Sequence, residues 1–261
     1  MKTTFKVIWI SLLSTIVTVL AHLLADTTHH PLFILKTPLL DIPYLFLMVT
    51  LLIFTLLTLI FIGIKSYLPA SKLTKGILYT SLISIVWIVL NLEPTTIKSF
   101  AGFIITILVV LAPMSVYGVF LGYLSSEQTN KLSISLSYLS IFIIMILWLS
   151  FRGLYYLIDV DAPKRSNILE TILWLSVSSI VIGVVFSIFK KLIKLPFLTK
   201  AVWLFNLVSA IFVSYYLMGY SLGVVFYPME YVKILFDIVS VMLALIISML
   251  LFERRQIEID Y

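Results

Sequence analysis

Between Asp41 and Lys65 the chain carries an unbroken uncharged run, IPYLFLMVTLLIFTLLTLIFIGI. As a helix rising 1.5 Å per residue it reaches roughly 30–35 Å, the thickness of a bilayer hydrocarbon core. A helix in the core of a soluble protein has no use for so long an apolar run. Similar runs recur along the chain. The composition agrees: 62% of residues are hydrophobic, 11% are charged and the mean hydropathy is +1.17. A soluble domain carries about 25% charged residues. Too little charge is present to coat a water-facing surface, so lipid is the expected outer solvent and partner.

The sequence therefore predicts an all-α polytopic membrane bundle of about eight transmembrane helices, forming one integral membrane domain over residues 1–261. The expected spans are about 5–25, 42–64, 76–92, 101–124, 132–151, 168–189, 201–223 and 231–252. The first resembles a cleavable signal peptide, with Lys2, Lys6 and Val19-Leu20-Ala21. Its apolar run continues through Leu24, and it is read as an uncleaved helix.

Charge sets the expected orientation. With the N-terminus inside, Lys36, Lys98, Arg152, Lys164, Arg165 and Lys233 fall outside and the other two thirds of the 18 Lys and Arg fall inside. The positive-inside rule then places both termini in the cytoplasm of a cell membrane. The net charge of +6 is thus assigned to topology, and no nucleic-acid partner is expected. Most acids, and His22, His29 and His30, fall on the outer side, where any chemistry is expected.

Few polar groups lie within or beside the spans. Asp237 sits about two turns into the last one, where a carboxylate is costly and should face the bundle interior or a wet cavity. It reads either as a proton or cation relay or as half of an interhelical ion pair. Glu170 opens span six, where an acid complements the helix dipole. Glu93 ends span three, because Pro94 disfavours helical geometry before it. Arg152 ends span five, where its guanidinium is expected to snorkel to the headgroups, the alternative being a pair with Glu170 or Asp237. These four are the transport or relay candidates. Phe151, Tyr155 and Tyr156 at the end of span five, and Tyr215, Tyr216, Tyr220, Tyr227 and Tyr231 around spans seven and eight, read as an interfacial aromatic belt.

Other features read as packing. Asn206 is expected to hydrogen-bond to a neighbouring helix. Gly118 with Gly122 and Gly219 with Gly223 form GxxxG pairs that let helices approach closely. Pro113 should kink span four. Asp41-Ile42-Pro43 and Asp161-Ala162-Pro163 precede spans two and six, as a four-plus-four duplication would produce. Little else aligns between the halves, and coincidence is the reading adopted.

Chemical motifs are sparse. His22 and Asp26 share a helix face, with His29 and His30 close behind, and this set has enough ligands for zinc. The spacing matches no zinc motif, and unliganded interfacial histidines are the expectation. There is no HExxH and no phosphate- or dinucleotide-binding signature, so no cofactor is expected. The absence of cysteine excludes disulfides and thiolate chemistry.

Three function classes follow. A transporter or permease for a small solute or ion leads, because it gives Asp237 and Glu170 a reason to exist. A non-catalytic accessory, assembly or immunity-type subunit, with a membrane-protein partner or as a homo-oligomer, comes next. An outer-face enzyme acting on a lipid or envelope substrate is third.

Overall fold

A computed structural model describes residues 3–26, 43–68, 71–93, 100–125, 137–158, 168–221 and 229–252. Among these residues there are eight helices and no strand: α1 (Thr3–Asp26), α2 (Pro43–Ile64), α3 (Lys72–Asn91), α4 (Phe100–Gly122), α5 (Tyr138–Ile158), α6 (Ile168–Leu192), α7 (Phe197–Ser221) and α8 (Met229–Phe252). All eight are long and apolar enough to cross a membrane. A helix satisfies its own backbone, which is what hydrocarbon demands of a spanning segment. The chain is a multi-pass, all-helical membrane bundle.

Local sequence explains some boundaries. Pro43 is the first residue of α2, a position whose N–H has no helical acceptor in any case. α3 stops at Asn91, just before Pro94. α4 runs helically through the buried Pro113. The fifth helix differs most from expectation. It begins at Tyr138 and continues to Ile158, about two turns beyond the expected end at residue 151. A hydropathy reading stops at the charge of Arg152. The helix continues because that charge is neutralised inside the bundle.

Neighbouring helices form a closed ring, α1–α2–α7–α8–α5–α6–α3–α4 and back to α1, with α3 also touching α7 across the middle. Advancing every helix number by four maps these pairings onto themselves. The pairs α1·α2, α1·α4 and α3·α4 become α5·α6, α5·α8 and α7·α8, while α2·α7 exchanges with α3·α6. This ring order is what a four-plus-four duplication would produce, but the weaker contacts α6·α7 and α6·α8 have no equally strong counterpart in the first four helices. Of the two short motifs that precede spans two and six, residues 41–42 and 161–163 lie outside the described residues.

The core is apolar and aromatic. Three of its ring donors end on backbone carbonyls of neighbouring helices, which suits buried Tyr and Trp tips. Trp87 Nε1 donates to Ile211 O at 3.0 Å, Trp174 Nε1 to Val89 O at 2.8 Å, and the Tyr79 hydroxyl to Leu57 O at 3.0 Å. These bonds tie α3 to α7, α6 and α2.

Glycine sets the closest approach. A methyl group at Gly76 of α3 would collide with the Gly118 carbonyl, and one at Gly122 would meet Leu73 Cα at 3.0 Å. The first GxxxG pair therefore packs against α3 of its own chain, with Gly76 as a third member. Gly219 is half-buried near the end of α7, and Gly223 lies outside the described residues.

Candidate functional site

The acid that follows α3 and the acid of α8 meet the guanidinium of α5 at the end of the bundle where α3, α5 and α7 finish and α8 begins. Trp148, Arg152 and Tyr155 stand at i, i+4 and i+7 on α5, and so share one inward face. Lys233 and Asp237 stand four apart on α8 and face it. Asp237 lies eight residues into its helix, about 12 Å along the axis. Glu93 comes from the turn that ends α3.

Arg152 is the hub, with its side chain fully buried. Its Nη1 donates to Asp237 Oδ2 at 2.8 Å and to the Tyr216 hydroxyl at 3.1 Å. Its Nη2 donates to Glu93 Oε2 at 3.2 Å. Lys233 Nζ donates to the same Glu93 oxygen at 2.8 Å, and the Tyr156 hydroxyl donates to Glu93 Oε1. The Tyr216 hydroxyl donates in turn to Asp237 Oδ2 at 3.2 Å. Two cations and two anions thus form one neutral network joining α3, α5, α7 and α8.

Aromatic rings enclose it. The Arg152 guanidinium lies 5.4 Å from the Trp174 ring and 5.7 Å from the Trp148 ring, and Lys233 Nζ lies 5.6 Å from the Tyr155 ring. Cations over aromatic faces are attracted by the ring quadrupole. Glu93 lies just past the spanning part of α3. Burial pushes its carboxyl up, but the Lys233 and Arg152 charges outweigh burial and, with hydrogen bonds from Lys233 and Tyr156, hold it down at about 2.

Among the described residues, three buried polar atoms in this cluster have no hydrogen-bond partner: Asp237 Oδ1, Arg152 Nε and Trp148 Nε1. The site therefore holds one free acceptor and two free donors. Buried polar atoms without a partner are uncommon, because each carries an uncompensated desolvation cost.

Three of the four relay candidates come together here: Asp237, Glu93 and Arg152. Glu170 does not; it is exposed in the first turn of α6. Arg152 does not snorkel, because its carboxylate partners lie within the bundle and pairing inside it satisfies the guanidinium. Tyr155 and Tyr216 are buried at the site rather than set in a belt at the bundle surface. Sequence reasoning missed Lys233, Tyr156, Tyr216 and the two tryptophans as members. The signal was present for α5 and α8, in the i, i+4 spacing of Trp148 with Arg152 and of Lys233 with Asp237.

The remaining candidates lie elsewhere. His22 is buried, with Nδ1 2.8 Å from Thr18 O and its ring against Phe46. Asp26 is the last residue of α1, and His29 and His30 lie outside the described residues. Among the described residues no three His, Asp or Glu side chains gather as metal ligands. Among the described residues Asn206 has no hydrogen-bond partner on a neighbouring helix. It is exposed on α7 and faces a groove against α2.

A second polar tie closes the other end of the α5·α8 seam, where Ser140 and Ser248 share a hydrogen bond and Lys190 Nζ donates to Ser248 Oγ at 2.6 Å. Compared with known protein families, curated proteins and solved structures, the chain matches none.

Proposed function

We propose that the protein is a transporter or permease for a small solute or ion, and that the Arg152–Asp237–Glu93–Lys233 network is its coupling site. The observation that carries this reading is the open Oδ1 of Asp237, a carboxylate whose other oxygen already holds Arg152. Buried ion pairs are poor stabilisers, since desolvation offsets their attraction, and apolar residues of similar size serve a static core at least as well. Ionisable groups inside a membrane bundle mark ion and proton pathways instead. A proton or cation arriving at Oδ1 weakens the hold on Arg152. Arg152 then shifts its bonding toward Glu93, which competes for the same guanidinium.

The order of helices in the ring, which a two-repeat carrier would share, supports the same reading. Carriers built from two repeats place their sites where the repeats meet. Here Glu93 comes from the first four helices, and Arg152, Lys233 and Asp237 from the second four. The excess of Lys and Arg on the opposite side orients both termini toward the cytoplasm of a cell membrane and the network toward the outer half.

The test is a screen of purified protein in lipid vesicles on a solid-supported membrane, with amino acids, sugars, carboxylates and inorganic cations as the panel. At least one solute is expected to evoke a transient current, and Asp237→Asn to abolish it in a protein that elutes as the same folded species. No current from any solute, or an unchanged current in the variant, overturns the reading.

The full complement of partners on Glu93 favours a second reading, an accessory subunit in which the network is a clamp. That reading expects the variant to lose thermal stability and binding of a partner subunit, with no transport in either form.

A further inference from the structure

Asn206 lies nine residues into α7 and three from its centre, within about 5 Å of the middle of the helix. It is exposed, and among the described residues its amide has no hydrogen-bond partner. It opens onto a groove of about 300 Å³ between Leu56, Leu59 and Ile60 of α2 and Trp203, Ser209 and Val213 of α7. At this depth lipid tails offer no donor or acceptor, and an unpaired amide in hydrocarbon costs several kcal/mol. Whatever covers this face in a membrane must carry a polar group at that level.

We infer that the groove is the interface of a homodimer. Both copies enter the membrane in the same orientation, so their two-fold axis runs along the membrane normal. Two α7 helices then meet parallel and in register, and Asn206 faces the partner's Asn206. An amide is both donor and acceptor, so this pair satisfies itself and needs no other chemistry. No ionisable group lines the groove to call for an oppositely charged partner.

The spacing fits. Val202, Asn206, Ser209 and Val213 follow the 4-3-4 intervals of a left-handed helix seam, in which one buried Asn fixes register and oligomeric state. Ser209 and Ala210 are small enough for close approach. Val202 is exposed on this stripe, and Ser209 and Val213 are half-exposed. The floor is firm, because the Trp203 indole fills the space that a side chain at Gly63 of α2 would need.

The chain has no cysteine, which makes the test direct. Val202→Cys and Val213→Cys are placed separately in the full chain and oxidised in native membranes. Val177→Cys on α6 and Val239→Cys on α8, both exposed elsewhere, serve as comparisons. A crosslinked product of twice 29.7 kDa is expected at 202 and 213 and not at 177 or 239. Adding Asn206→Leu should lower its yield about fivefold, the value of one interhelical amide bond in a membrane. Light scattering of the unmodified protein in mild detergent should give a dimer, and Asn206→Leu a larger monomer fraction. Equal crosslinking at all four positions, a crosslink indifferent to Asn206→Leu, a product of another mass that reveals a different protein in the groove, or a monomer throughout would each overturn the inference.

Discussion

Arg152 shows how one side chain decides the reading of its surroundings. Placed by hydropathy at the end of a span, it looks like a headgroup anchor. Placed by the helix that continues past it, it becomes the centre of a buried ionic network. Truncating it leaves Asp237 a buried charge without its cation. Arg152→Ala is therefore expected to cost about 3–5 kcal/mol, measured as a fall in unfolding temperature in detergent. Arg152→Lys should recover only part of this, because an ammonium cannot reproduce the two-pronged fork that holds Asp237 and Glu93 together. Glu93 gives a pH signature. Its carboxyl is held at about 2, below the 4.5 of a free glutamate. A group with a depressed folded pKa stabilises above its unfolded value and loses that contribution as pH falls toward the folded one. Thermal stability should thus drop between about pH 4.5 and 2. Glu93→Gln should flatten that part of the profile, and an unchanged profile would contradict the assigned partners. The acids were legible as candidates because they stand out in an apolar chain. Lys233 was not, since it sits near the start of a span, where a lysine normally reaches for the headgroups.

At the scale of elements, seven of the eight helices were recoverable from apolar length alone, to within a few residues. α5 was not, because the serines before Tyr138 are mild enough to pass as membrane residues while Arg152 looks like a stop. Helix contacts were less legible. The Gly118 and Gly122 pair announced a close approach but not its partner, which is Gly76 of α3. A bulky residue at Gly76 has nowhere to go, since the obstruction is backbone. Gly76→Leu should separate α3 from α4 and cost about 3 kcal/mol or more. Gly153→Ala is the comparison, since a methyl there meets nothing within 4 Å, and it should leave the unfolding temperature nearly unchanged or slightly raised. Equal effects from the two changes would show that the α3·α4 contact is not glycine-limited.

At the scale of the molecule, the ring of helices closes through α2·α7 and α3·α6, which with α3·α7 join the first four helices to the second four. Each half also has its own internal pairings. A chain divided between α4 and α5 should therefore reassemble, and co-expressed halves should co-purify from membranes. Failure of two well-expressed halves to associate would argue against the four-helix half as the unit of assembly. The sequence does not show the order of helices in the ring, because apolar length marks each helix but not which distant helix it packs against. The network lies where the halves meet, and the central claim is that it serves function and not the fold. The most direct measurement is the solute-evoked current of Arg152→Met/Asp237→Leu set beside its unfolding temperature. The pair is replaced by apolar groups of similar size, and Glu93 keeps Lys233. The account predicts a protein about as stable as the original with no current. An unaltered current, or a collapse of stability comparable to that of Arg152→Ala, would contradict it.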